Sequence, residues 1–249
     1  MLKYKMAKKS TEVEMRLDRL LSDMGLLSRS EARAACKNGQ VLVDGVAVRD
    51  SSAHVDPEKQ SIVFRGRDIA YRKYTYVMLN KPEGYVSATE DSKLPVVTEL
   101  LDGELRKMEL FPVGRLDRDT TGLMILTNNG PLAHRVLSPK HHVPKVYRFT
   151  AAEPMAEGVE DKFRDGVTLA DGYECKSAVI ELDEGRMGGY ITLTEGKYHQ
   201  IKRMVASTHN RVVTLERVSF GEIALDTSLK RGEYRLLTPE EIATLEKQN

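Results

Sequence analysis

Leu110-Phe111-Pro112-Val113-Gly114-Arg115-Leu116-Asp117-Arg118-Asp119-Thr120-Thr121-Gly122-Leu123-Met124-Ile125-Leu126 sets a charged nonapeptide, Gly114 to Gly122, between two apolar runs. Asp117 in that setting is expected to be partly shielded from water, and the burial of an acid needs a physical reason. Two chemistries fit. In one, the stretch is a turn whose Asp and Thr side chains hydrogen-bond the local backbone and which Gly122 closes. In the other, Asp117 is a catalytic carboxylate held ionised by Arg115 or another cation. Spacing by itself favours the turn.

Outward from this stretch, period-two segments at 74–79, 123–127, 146–150, 178–182, 190–194, 212–215 and 234–237 predict strands. Helical patterns are expected at about 130–137, 156–165 and 198–209, and a last helix opens with Thr238 as cap and Pro239 in its first turn. Strands dominate without a regular βαβ repeat, so the class is α+β with a mostly antiparallel mixed sheet.

The front of the chain reads differently. Leu17, Leu20, Leu21 and Met24 recur at helical spacing, with Gly25 placed to end the helix. Ser28-Arg29-Ser30-Glu31 has the form of a capping box, starting a second helix on which Arg29, Arg33 and Lys37 share one face. Asp44-Gly45 predicts a tight hairpin turn, and Ile62-Val63-Phe64 a closing strand. Residues 1–14 read as a flexible extension and 65–73 as a linker, leaving a small module at 15–64 and a large domain at 74–247.

The chain has 249 residues and a formal charge of +1, unevenly spread: residues 1–75 hold 15 Lys/Arg against 10 Asp/Glu, the remainder 23 against 27. A basic front suggests an anionic partner there. No run of 18 apolar residues is present, so no membrane span is expected. Two distant cysteines, Cys36 and Cys175, fit a reducing cytoplasm. The histidines show no ligand spacing, neither a phosphate-binding loop nor a dinucleotide fingerprint appears, and no metal is expected.

Gly114-Arg115-Leu116-Asp117 followed by Thr120-Thr121-Gly122 resembles the catalytic motif of the RNA pseudouridine synthases, most of all the RsuA-type branch that acts on small-subunit (16S) ribosomal RNA. Three further motifs follow the family's order. Leu79-Asn80-Lys81-Pro82-Glu83-Gly84-Tyr85 resembles its first motif, Ser138-Pro139-Lys140-His141-His142 with Lys145-Val146-Tyr147 its tyrosine motif, and Glu195 to Met204 its basic motif. Residues 15–64 resemble the alpha-L type RNA-binding domain of a small-subunit ribosomal protein. The resemblance implies an isomerase without cofactor, with Asp117 acting at the ribose, Tyr147 stacking on the target uracil, and Lys202 keeping Asp117 ionised where related branches typically carry arginine. Whether Asp117 stabilises charge at the anomeric carbon, attacks it or removes a ribose proton stays open. Arg115 would orient the flipped nucleotide, Arg203 would face RNA, and Asp119 would shape the turn.

The expected RNA contacts are Arg16, Arg19, Arg29, Arg33 and Lys37 in front, and a rim of Arg135, Lys140, Lys145 and Arg148. The expected partner is ribosomal RNA, 16S or a partly assembled small subunit, met by a monomer in the cytoplasm. Rival readings are a large-subunit (23S) rRNA synthase, a non-catalytic ribosome-assembly protein of the same fold, and a glycosidase, which would want a second carboxylate suitably placed.

Overall fold

The computed structural model describes residues 14–138 and 140–247; the expected extension, apart from Glu14, lies outside the described residues, as does Pro139 of the tyrosine motif. The chain forms two compact units. One is built on residues up to Lys73 together with Gly103–Glu109, the other on Tyr74–Asp102 and the chain from Leu110 onward.

In the front unit β1 (Met15–Arg16) leads into α1 (Leu17–Asp23) and α2 (Arg29–Lys37), followed by β2 (Val41–Val43), β3 (Val46–Ala47), β4 (His54–Val55), β5 (Ile62–Phe64) and β6 (Arg67–Asp68). Leu17, Leu20 and Leu21 of α1 are fully buried with Ala32 and Cys36 of α2, which is what their helical spacing demands. The capping box forms: Ser28 Oγ accepts from Glu31 N–H, and the Glu31 carboxylate accepts from Ser28 N–H at 2.7 Å. Asp44 and Gly45, at φ 51° and 79°, make the tight turn joining β2 and β3. Arg65 and Gly66 repeat that geometry (φ 50° and 77°) and bring β6 back against β5. The segment expected as a linker thus begins as a hairpin, because a positive-φ pair in front of an extended run turns the chain rather than releasing it. Short helix α3 (Gly103–Lys107) also belongs here, its Glu104 paired with Arg67 at 2.7 Å. A boundary drawn only at residue 73 overlooks that excursion.

The larger unit holds β7 (Tyr76–Lys81), β8 (Phe111–Pro112), β9 (Thr121–Thr127), α4 (Gly130–Leu137), β10 (Lys145–Ala151), α5 (Val159–Asp165), β11 (Val179–Leu182), β12 (Gly188–Leu193), α6 (Gln200–Ala206), β13 (Val212–Phe220), β14 (Ile223–Ala224), β15 (Tyr234–Leu236) and α7 (Pro239–Lys247). One nine-stranded sheet runs β11-β12-β10-β13-β9-β7-β15, with β14 on β13 and β8 on β9. All its pairs are antiparallel except β9 with β13, where Thr121 faces Glu216 and Gly122 faces Arg217. The class is α+β with a mostly antiparallel sheet. All six residues of β7 are buried, as expected of a strand paired on both sides, by β9 and β15, in a sheet covered on its faces.

Two local departures from periodicity shape the sheet near the charged nonapeptide. Helix α6 starts at Gln200 rather than 198 because His199 takes φ 49°, a left-handed conformation no helix interior accepts. A β-bulge shifts the register of β10 on β13, so that Val146 faces Ser219 while Tyr147 faces Arg217. The parallel junction depends on Gly122: its φ is 97°, and a Cβ there would stand 2.3 Å from the Arg217 carbonyl oxygen. Gly122→Ala should therefore lower unfolding free energy by at least about 2 kcal/mol, from backbone strain and the forced separation of β9 from β13. Urea denaturation checks this; an unchanged midpoint would show that the junction can widen freely.

Candidate active site

The nonapeptide forms a loop clamped on both flanks before it enters β9. Ser87 Oγ accepts from Leu116 N–H at 2.9 Å and donates to the Leu116 carbonyl at 2.8 Å. Gly84 N–H donates to the Arg118 carbonyl at 2.9 Å, and Thr120 N–H to that of Asp117 at 3.1 Å. From beneath, Lys81 at the end of β7 sends its ammonium to three carbonyls, Thr120 (2.8 Å), Pro82 (3.0 Å) and Arg118 (3.3 Å). The Lys81 side chain is fully buried, and burial lowers it to about 8 against the attraction of Asp119 and Asp117. First-motif residues Lys81 and Gly84 thereby hold the backbone after Asp117, and Ser87, just beyond that motif, holds the backbone before it.

Asp117 points to α6. Lys202 Nζ lies 2.9 Å from Asp117 Oδ2 and 2.5 Å from Asp119 Oδ1. Asp117 is 27% exposed and Lys202 23%, so the pair is shielded yet one side of the carboxylate stays reachable. Partial burial works to lower the Lys202 ammonium, but its hydrogen bonds to Asp119 and Asp117 prevail and raise it above the ordinary lysine value. Asp119 shows the converse: burial would raise it, and the Lys202 hydrogen bond brings it below the usual carboxylate range. His199 Nε2 stands 3.6 Å from Asp117 Oδ1 on another side.

The lysine can reach because α6 is anchored at its first turn. Gln200 is buried, donates to Glu195 Oε1 at 2.6 Å and accepts from Lys197 N–H at 2.8 Å. Glu195 also accepts from Tyr173 Oη (2.9 Å) and Lys176 N–H (3.0 Å). Ile201, Met204 and Val205 point inward, leaving Lys202 turned toward the loop.

Tyr147 is buried on β10 and faces Arg217 of β13 across the bulge. Arg217 was not singled out in the sequence. It is completely buried, donates from Nε to the Leu123 carbonyl at 2.8 Å, lies over Phe220 with 5.4 Å from Cζ to the ring centroid, and pairs by backbone with Gly122. One residue thus joins the exit of the Asp117 loop to Tyr147. Its parity with buried Leu215 was a usable signal, obscured because the strand was expected to stop at 215. Lys81 lay inside a quoted motif without a role, and His199 without any.

Other expected site residues are scattered. Arg115 is exposed and unpaired among the described residues. Arg203 is bound to Asp171 at 2.5 Å. Of the expected rim, Lys140 is exposed, but Arg135 donates to the Glu246 carbonyl in the last turn of α7 (2.7 Å) and Arg148 pairs with Asp183 (2.5 Å). Lys145 turns inward to the Val143 carbonyl (2.8 Å) and over the Phe220 ring, where burial and Arg217 lower it to about 8. These four do not form one exposed basic edge; intramolecular acceptors capture three of them. In the front unit Arg16 pairs with Asp18 (2.6 Å) and Arg19 with Asp23 (3.3 Å). Arg29, Arg33 and Lys37 stand exposed on α2 without an ion pair among the described residues. The described residues contain no group of three His, Cys, Asp or Glu placed to hold a metal, and no helix long and apolar enough to cross a membrane.

An α+β domain with a mostly antiparallel sheet, preceded in sequence by a small separate module, agrees with what comparison with known proteins shows. The RNA pseudouridylate synthase family model matches residues 75–207 and the S4 domain model residues 15–61. An uncharacterized RNA pseudouridine synthase of Bacillus subtilis is 46% identical over 234 residues, covering 93% of this chain and 98% of the relative. The ribosomal small subunit pseudouridine synthase A of Escherichia coli K12 is 40% identical over 233 residues, covering 93% and 100%. A pseudouridylate synthase crystal structure, 37% identical, superposes with a TM-score of 0.66 over 93% of this chain and 99% of its own. The chain belongs to the RNA pseudouridine synthase family, whose members are isomerases, and carries an S4 domain in front.

Lys81 makes a pH-dependent prediction. Its folded value, about 8, lies below the ordinary 10.5, so between those limits the unfolded chain binds more protons and the group's contribution to stability rises with pH. Lys81→Met should lose that rise between pH 8 and 10.5. At pH 7.5 it should be less stable by about 1–3 kcal/mol, because three buried carbonyls lose their donor. Urea unfolding of both proteins at pH 7.5 and 10 measures this, and equal increments in the two would refute the burial of a charged Lys81.

Proposed function

We propose that this protein converts a specific uridine of small-subunit (16S) ribosomal RNA to pseudouridine, with Asp117 as the catalytic carboxylate. The carrying observation is the 2.9 Å pair between Asp117 and Lys202 on a loop whose backbone is held from both sides. The small-subunit assignment is supported by the 40% identity to the Escherichia coli small-subunit enzyme over its whole length. In this reading the enzyme works as a cytoplasmic monomer on free or partly assembled small-subunit RNA.

The reaction breaks the C1′–N1 bond, turns the uracil and joins C1′ to C5; a proton leaves C5 and one is gained at N1, so nothing is consumed and no cofactor is needed. Positive character develops at the anomeric carbon as in glycoside cleavage. The Asp117 carboxylate stabilises it through space or by attack, with the Lys202 ammonium 2.9 Å away as its counter-charge. Tyr147 packs against the uracil and receives the C5 proton from its position on β10 opposite Arg217. A base in a duplex cannot reach such a carboxylate, so the uridine is extruded or lies in an unpaired segment.

The S4 domain adds affinity. Arg29, Arg33 and Lys37 on α2, with Arg16 and Arg19 as weaker candidates, meet phosphates and steer the RNA without reading its sequence, and exposed Lys140 of the larger unit is a separate weaker candidate.

Asp117→Asn should bind RNA like the parent yet lower pseudouridine formation by at least about a thousandfold. Lys202→Met should be nearly as damaging and Lys202→Arg much less so. The measurement is pseudouridine mapping on 16S and 23S rRNA after incubation with purified protein; a normal yield from Asp117→Asn would overturn the catalytic assignment, and a product confined to 23S rRNA the substrate.

For the front unit, the double change Arg33→Glu and Lys37→Glu should weaken RNA binding about tenfold or more at low salt and flatten its salt dependence. Filter binding at two ionic strengths checks this, and unchanged affinity at both would remove α2 from the interface.

A further inference from the structure

Tyr198 is 76% exposed, the most open large apolar or aromatic side chain among the described residues. Its ring lies flat on His199, with centroids 3.8 Å apart and planes 17° from parallel. His199 in turn is the imidazole 3.6 Å from Asp117 Oδ1. The order in space is carboxylate, imidazole, phenol, and then solvent on the free face of the phenol.

The corner presenting this pair is held firmly. His199 occupies the left-handed region at φ 49°, a conformation a non-glycine residue keeps only where its surroundings impose it. Here they do: Gln200 behind it is buried and tied to Glu195 and Lys197, and the Tyr198 carbonyl accepts from Arg203 Nη1 at 3.4 Å while Arg203 is fixed by Asp171. At that exposure the phenol does not serve the core. A rigid aromatic face left in water beside a carboxylate that handles an extruded nucleotide suits one ligand class, the π-face of an unpaired nucleobase.

We infer that the Tyr198–His199 stack is a docking platform for a nucleobase adjacent in sequence to the extruded uridine. A base on the free face of Tyr198 would extend the stack by about 3.4 Å, the ordinary base spacing. The RNA strand would then be held on one side of the target while Asp117 acts on the target's own ribose. This subsite rests on the reading of Asp117 as the catalytic group of a uridine isomerase. Every base offers a π-face, so the platform contributes affinity and register along the strand, with little choice among bases.

The test uses the full-length protein and uridine-centred single-stranded RNAs. In the first arm, 2-aminopurine replaces the nucleotide immediately 5′ or 3′ of the target uridine. Wild type should quench its fluorescence at one of the two positions, Tyr198→Phe should do the same, and Tyr198→Ala should not. In the second arm the flanking nucleotides are made abasic one at a time. Tyr198→Ala should raise KM about tenfold on intact RNA with kcat within about twofold, and should add nothing on the RNA lacking the stacked base. Quenching that survives in Tyr198→Ala, or a Tyr198→Ala penalty that persists on every abasic RNA, overturns the platform. The fluorescence arm needs no turnover, so a wild-type protein that quenches without forming pseudouridine would sink the catalytic reading and leave the platform standing.

Discussion

One ammonium shared between two carboxylates is the interaction on which this site depends. Asp117 is partly sheltered from water, and a carboxylate in that setting calls for a counter-charge close by. Lys202 supplies the charge from α6, 85 residues further along the chain, and Asp119 provides a second anchor that holds the ammonium in place. The lysine acts as a point charge that meets one oxygen of each carboxylate. The Glu195–Gln200 network, the left-handed turn at His199 and the inward packing of Ile201, Met204 and Val205 all aim that one side chain.

Beneath the loop the protein buries two further cations without carboxylate partners in ion-pair contact among the described residues. Lys81 is satisfied by three backbone carbonyls, and Arg217 by the Leu123 carbonyl and an aromatic face. Buried charge is costly and is retained only where hydrogen bonds replace water. Apart from Pro82, the carbonyls belong to the Asp117 loop or its exit strand, so the cost falls largely on groups that fix the backbone around Asp117. The bulge in β10 and the close approach at Gly122 serve the same end, since they bring Tyr147 and the loop exit to a single arginine.

Local patterns were legible where they report a local cause. The α1 leucines, the Ser28–Glu31 cap, the Asp44-Gly45 turn and helix α4 at 130–137 follow from spacing and capping chemistry that neighbours along the chain decide. Strand ends were less legible: β13 runs to Phe220 because it is paired with β10 and β14, and pairing partners are invisible to periodicity. The basic residues at 135–148 illustrate the opposite error. Read as a row they suggest a surface, yet the Glu246 carbonyl, the Asp183 carboxylate and the Val143 carbonyl claim three of them, and each acceptor is either remote in sequence or reached only by folding back.

From the residues alone came the α+β class, the basic front module, and, through four ordered motifs, Asp117, Tyr147 and Lys202 as a candidate set. Those follow from identity and order, which a linear chain carries. The pairing of Asp117 with Lys202, the role of Lys81 under the loop, the burial of Arg217 against Tyr147 and the stack of Tyr198 on His199 were decided by tertiary structure. Each depends on a distance between segments remote in sequence or on a backbone angle set by packing, and a residue's charge does not disclose which partner folding will bring to it.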